Sequence, residues 1–87
     1  MNEIIESTPE HNITYKVLDT IVVVEHLNVE PKYRRKGIGT KVLLELRQRY
    51  DKPLFLLCWE TLIPFYEKVG FINEGQTVNE YYEMILK

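Results

Sequence analysis

The sequence holds a single cysteine, Cys58, and only two histidines, His11 and His26. That scarcity excludes an internal disulfide and a cysteine-rich metal site, and a lone thiol agrees with a reducing compartment. No run of apolar residues is long enough to span a bilayer. The start does not read as a secretory leader, because Glu3, Glu6 and Glu10 stand where a basic and then apolar stretch is required. These absences point to a cytoplasmic protein with no metal and no membrane partner. No repeat, low-complexity stretch or linker interrupts the chain, so the 87 residues are read as one domain, 1–87, too short for a second. Glycine is scarce as well, with four in the chain. The close pair Gly37 and Gly39 is therefore informative.

What the sequence does contain is a succession of short apolar elements. Ile13–Leu18 and Ile21–Val29 are β-rich runs separated by Asp19-Thr20, a spacing that predicts a hairpin with a two-residue turn. Ile21 to Val24 is continuously apolar, which suits a central strand covered on both faces. A helix from about Gly39 to Tyr50 places Ile38, Val42, Leu43, Leu46 and Tyr50 on one face. Pro53–Cys58, which contains Leu54-Phe55-Leu56-Leu57, then reads as another buried strand, as a strand–helix–strand crossover demands. A second helix over 62–69 has Thr61 as its expected N-cap, Pro64 in the first turn and Gly70 at its stop. Residues 71–74 and 81–86 close the chain as a hairpin. The expected fold is α/β, a mixed and mostly antiparallel sheet with two helices.

Arg34-Arg35-Lys36-Gly37-Ile38-Gly39-Thr40 lies between the apolar strand and the first helix. A helix start leaves its first amides unpaired and positive, and glycines let backbone approach an anion closely. A glycine pair by itself is equally compatible with a tight connection. Charge decides between the two readings. Residues 30–52 carry eight basic side chains against three acidic ones, +5, in a chain of net −2, so the remainder stands at −7. Such polarisation suits an anionic ligand drawn to one edge. A P-loop is excluded, since one residue rather than four separates the glycines and the order is Thr40-Lys41. The dinucleotide fingerprint fails too, because Val42 occupies the position of its third glycine.

The pattern Arg34-x-x-Gly37-x-Gly39, preceded by Leu27-Asn28-Val29-Glu30-Pro31-Lys32-Tyr33, resembles the R/Q-x-x-G-x-G/A signature of the GNAT-type N-acetyltransferase superfamily and its strand lead-in. A second block, Ile63-Pro64-Phe65-Tyr66-Glu67-Lys68-Val69-Gly70-Phe71, is similar to that family's helix and strand junction. The resemblance extends over residues 13–86 and implies acetyl-CoA as the ligand. Its pyrophosphate would lie in the loop formed by Arg34, Arg35, Lys36, Gly37, Ile38, Gly39 and Thr40, with Arg35 and Lys36 facing the phosphates. Leu27 and Val29 would offer backbone groups to the pantetheine arm.

The resemblance also implies the chemistry, acetyl transfer to a primary amine by direct attack in a ternary complex. Tyr66 occupies the position of the tyrosine that protonates the coenzyme sulfur; its alternative role is a core aromatic among Leu62, Phe65 and Val69. Glu25, His26 or a water would accept the amine proton. Successive strand side chains point to opposite faces, so at most one of Glu25 and His26 faces the acceptor unless a bulge intervenes. His11 lies in a start that reads as loose and mobile, and is taken as unrelated. Cys58 near the thioester invites an acyl-cysteine route, but no activating base follows it, and a small buried hydrophobe is the better reading.

The chain departs from the family pattern in two places. Trp59-Glu60 stands where many members carry a coenzyme-binding asparagine, and the helices that cover the acceptor site are missing from the dozen residues before Ile13. An open acceptor site suits a protein lysine, an N-terminus, or completion by a second copy in a homodimer better than an enclosed small amine. The alternatives are an acetyl-CoA-binding or interaction module without turnover and, against the acidic remainder, a nucleic-acid binder.

Overall fold

The apolar run beginning at Ile21 becomes the pivot of a six-stranded sheet. The computed structural model describes residues 3–87. In chain order the strands are β1 (Glu3–Ser7), β2 (His11–Val17), β3 (Val22–Val29), β4 (Leu54–Cys58), β5 (Ile72–Gln76) and β6 (Tyr82–Leu86), with helices α1 (Ile38–Tyr50) and α2 (Ile63–Val69). The sheet order is β1-β2-β3-β4-β6-β5, and only β3 and β4 run parallel. The β2–β3 turn is the expected two-residue one, Asp19-Thr20, closed by the Leu18 N–H donating to the Ile21 carbonyl at 2.8 Å. Among the described residues no helix is long and apolar enough to cross a membrane.

Both helices pack on one face of the sheet. Leu43 and Leu46 of α1 and Val69 of α2 join Ile13, Tyr15, Val22, Val24, Leu54, Leu56, Cys58, Met84 and Leu86 in a single buried cluster. Fully burying one leucine such as Leu43 or Leu54 contributes about 1.5–3 kcal/mol. The opposite face carries Val23, Phe55, Leu57 and Ile85, and no described element covers it. The expectation that Ile21–Val24 is covered on both faces is thus corrected: Val22 and Val24 are buried, Val23 only partly.

Three further readings change. Glu3–Ser7 is a strand, pairing with β2 from Glu3↔Lys16 to Ser7↔Asn12. Glu3 and Glu6 on either side of Ile4-Ile5 hid it, yet Glu6 is satisfied: it accepts from the Tyr15 hydroxyl at 3.0 Å and from Arg49 Nη1 of α1 at 2.6 Å. His11 opens β2 opposite Val29, its N–H donating to Thr8 Oγ1, and is not part of a loose start. Thr61 does not cap α2; it lies inside a 3-10 turn, Glu60–Leu62, and Leu62 takes the N-cap position without a side-chain bond. Pro64 in the first turn and Gly70 at the stop, with φ 122°, are as expected.

Candidate functional site

The site begins where two strands part. β3 and β4 pair only at Val22↔Leu54 and Val23↔Phe55, so the remainder of β3, through Val29, has no partner on that side. A bulge on β3 accompanies the divergence: Tyr15 pairs with Val24 and Thr14 with His26, leaving Glu25 as the extra residue. Bulges bend a strand and raise its twist, which steers β3 away from β4. Extended backbone donors and acceptors thereby face an opening rather than a neighbouring strand.

On the helix-covered side the opening widens into a cavity of about 750 Å³. Leu27 and Val29 line one wall, the loop residues Arg34, Arg35, Gly37, Ile38, Gly39 and Thr40 a second, and Leu62, Phe65, Tyr66 and Lys68 a third. Eight of the nine residues expected to hold the coenzyme therefore meet here. Lys36 is the exception, its ammonium lying 5.9 Å from the centroid of the Tyr33 ring. Asn28, Tyr33, Leu62, Phe65 and Lys68 also line the cavity. Asn28, Tyr33, Phe65 and Lys68 fall within the two family-like blocks of the sequence but carry no assigned role there, and Leu62 and Phe65 read as packing.

The anion cradle follows from backbone geometry. Gly37 is the N-cap of α1 in the left-handed region, φ 77°, and the first helical bond runs from the Lys41 N–H to the Gly37 carbonyl at 3.0 Å. The N–H groups of Ile38, Gly39 and Thr40 precede that bond and have no intrahelical acceptor. No side chain caps them. Arg35 is also left-handed, φ 66°. Arg34 donates its Nε–H to the Val29 carbonyl at 2.8 Å, tying the loop to the end of β3. Its role is partly structural, which the sequence did not reveal.

The two glycines do different work. Nothing approaches within 4 Å of a Cβ built on Gly37, so there the requirement is the positive φ. Gly39 is helical and buried, and a Cβ on it would stand 3.1 Å from Phe65 Cζ and 3.8 Å from Val29 Cγ2. It is needed for helix-to-helix approach. The glycine pair thus meets two separate requirements, a positive φ at Gly37 and room for Phe65 at Gly39, and both residues line the cavity.

Tyr66 sits edge-on between Phe65 and Phe71, centroids 5.0 and 5.4 Å away. Burial, reinforced by the nearby Cys58 sulfur, pushes its phenol above the usual tyrosine range, so the proton stays on at neutral pH. Cys58 is buried at the end of β4, and burial pushes its thiol up as well, which disfavours a reactive thiolate. Glu25 and His26 are both exposed. The bulge brings them to the same face, since Glu25 pairs with Lys16 at 3.4 Å and His26 stands opposite Thr14. That face is the uncovered one. Contact with Glu25 raises the Glu3 carboxyl above its ordinary value.

A pocket walled by free helix-start amides, two arginines and a strip of aliphatic and aromatic side chains fits a long ligand with an anionic group and an apolar arm. Comparison with known proteins agrees. No curated protein sequence matches the chain significantly. In the solved structures, PaiA N-acetyltransferase from Thermoplasma acidophilum in complex with coenzyme A superposes with a TM-score of 0.78 at 26% identity, over 90% of this chain and 53% of that one. A putative GNAT-family acetyltransferase from Bacteroides thetaiotaomicron gives 0.71 at 26% identity, over 88% and 54%. The chain thus spans about half the length of these two. The anti-CRISPR protein AcrVA5 shares the fold over nearly its whole length, 97% of this chain and 98% of that one, with a TM-score of 0.74 at 18% identity. The family profile "Acetyltransferase (GNAT) domain" matches residues 4–73. By that match over most of its length, with cavity, loop and parted strands in the places described, the chain belongs to the GNAT acetyltransferase domain family.

Proposed function

We propose that the chain is an acetyl-CoA-dependent N-acetyltransferase acting on a primary amine of a polypeptide. The observation that carries this reading is the parting of β3 and β4 after Val23↔Phe55, which opens the helix-covered cavity toward the uncovered face of the sheet. A thioester reaching through that opening from the covered side would meet an amine arriving from the other.

The residues fit the donor. The Ile38, Gly39 and Thr40 amides and the Arg35 guanidinium suit the pyrophosphate, with Lys68 across the cavity as a further cation, and the free edge of β3 from Leu27 to Val29 suits the amide-rich pantetheine arm. In the transfer, the amine nitrogen bonds to the acetyl carbonyl carbon and the carbon–sulfur bond breaks. Tyr66 gives its proton to the departing sulfur, and Glu25, or His26 beside it, receives the amine proton through water. Lys36, turned toward Tyr33, is left to long-range attraction of the anion.

The acceptor class follows from access. The uncovered face offers no enclosure for a small amine, whereas an extended polypeptide brings its own contacts. The test is acetyl-CoA titrated calorimetrically, followed by thiol release with a panel of small amines and lysine peptides. Coenzyme binding with release that depends on a peptide supports the proposal. Binding with no acceptor-dependent release across the panel rejects transfer and leaves a binding module, and release with small amines alone rejects the polypeptide.

A further inference from the structure

Trp59, the chain's one tryptophan, is half-exposed at 51% and stacks on Tyr81, ring centroids 4.3 Å apart at 36°. Register explains the contact. Cys58 pairs with Tyr82 across β4 and β6, and both face the helix-covered core. Trp59 continues β4 with extended backbone, φ −74° and ψ 154°, so it and Tyr81 turn to the uncovered face. They stand one residue beyond Cys58, whose sulfur lies near the Tyr66 phenol. The stack therefore stands at the end of β4, the strand that parts from β3, on the face opposite the helices.

From the stack the uncovered face continues through Leu57, 48% exposed and opposite Glu83, to a hollow of about 260 Å³ lined by Val23, Phe55, Leu57 and Glu25. Its strand residues carry the carboxylates of Glu3, Glu25 and Glu83 against the Lys16 ammonium, which is itself bridged to Glu25. Aromatic faces beside carboxylates attract cations and the aliphatic stems that carry them. A second copy laid face to face would oppose these carboxylates to one another, which disfavours it.

We propose that the Trp59–Tyr81 stack, with Glu83 next along β6 and Glu25 across the neighbouring hollow, is an acceptor-recognition surface that selects a positively charged polypeptide segment around the lysine to be acetylated. This rests on the acetyl-transfer reading above. Trp59 and Tyr81 set acceptor affinity, and Glu83 sets the preferred sign of the flanking charge.

The test uses the full chain with saturating acetyl-CoA and two synthetic peptides, each with one lysine, flanked in one by arginines and in the other by glutamates. The arginine-flanked peptide is expected to shift Trp59 fluorescence saturably and to be acetylated with the higher kcat/KM. Trp59→Ala or Tyr81→Ala should raise its KM roughly two- to fivefold, as an exposed cation–π contact would, with the acetyl-CoA Kd unchanged. Glu83→Lys should cut the preference about tenfold. Equal kcat/KM for both peptides, or a preference that survives all three substitutions, overturns the recognition surface while leaving transfer intact. If neither peptide is acetylated, fluorescence decides: an unmoved Trp59 signal overturns this proposal, and saturable binding of the arginine peptide alone upholds the surface while the failure belongs to the transfer reading.

Discussion

Gly39 lies against the edge of the Phe65 ring, close enough that a Cβ would stand 3.1 Å from Cζ. This contact seats the start of α1 on α2 and so fixes where the free amides of Ile38 to Thr40 point. Gly39→Val should destabilise the fold by about 1–3 kcal/mol through overpacking and weaken acetyl-CoA binding. Phe65→Leu in the same chain should recover part of the stability. Urea unfolding and calorimetric titration check both; unchanged stability in Gly39→Val would separate the glycine from the packing.

Gly37 should behave differently. Its Cβ would meet nothing, so Gly37→Val acts through the left-handed φ of 77°, a strain on the order of 1–3 kcal/mol. Coenzyme affinity should fall, and no second-site substitution at Phe65 should restore it.

Tyr66→Phe should lower kcat roughly a hundredfold or more, the range of a positioned general acid, with little change in acetyl-CoA affinity. Because burial holds the phenol above the usual tyrosine range, the acid form persists past pH 10. Loss of the acid should therefore not cause a decline in kcat between pH 8 and about 10. A pH–rate profile measures this, and equal activity in the phenylalanine variant would remove Tyr66 from the chemistry.

Cys58→Ala should keep acceptor-dependent turnover. The thiol is buried and pushed up, and direct attack needs no acyl-cysteine. Mass spectrometry of the wild-type chain incubated with acetyl-CoA alone should find Cys58 unmodified; stoichiometric acetylation there would replace the ternary-complex route.

Tyr15, Glu6, Arg49 and Tyr50 tie β1 to α1. Arg49 Nη1 reaches the Tyr15 hydroxyl at 3.2 Å, and the Tyr50 hydroxyl lies 3.1 Å from it. Burial, then bonding to Tyr50 and Glu6, raises the Tyr15 phenol well above the ordinary value. An unfolded tyrosine ionises near pH 10, so this contribution is complete below that pH and is lost as pH rises toward the folded value. Tyr15→Phe should cost about 1–2 kcal/mol at neutral pH and make stability fall less steeply above pH 10, as read by thermal unfolding.

The sheet, its hairpins and the place of the glycine loop ahead of α1 were legible because each rests on a local signal: β-branched alternation, the Asp19-Thr20 turn, the charged glycine pair. β1 was not, since Glu6 reads as solvent-facing until Arg49, 43 residues away, supplies its partner. Thr61 looked like a cap because the 3-10 turn ahead of α2 has no sequence signature. The β3 bulge, the exception that strict alternation allowed and that no local signal located, put Glu25 and His26 on one face. Lys36 and Gly39 were grouped with the phosphate loop by position; Lys36 folds back locally toward Tyr33, and the contact of Gly39 with Phe65 is tertiary.

The central claim, acetyl transfer from acetyl-CoA to a polypeptide amine, is tested most directly by following CoA release and peptide mass together in one reaction. The account predicts one N-acetyl group on a lysine or N-terminal amine for each thiol released, and no release when acetyl-CoA is incubated without peptide. Saturable acetyl-CoA binding with neither thiol release nor acetylated product, across basic, neutral and acidic peptides, would contradict it.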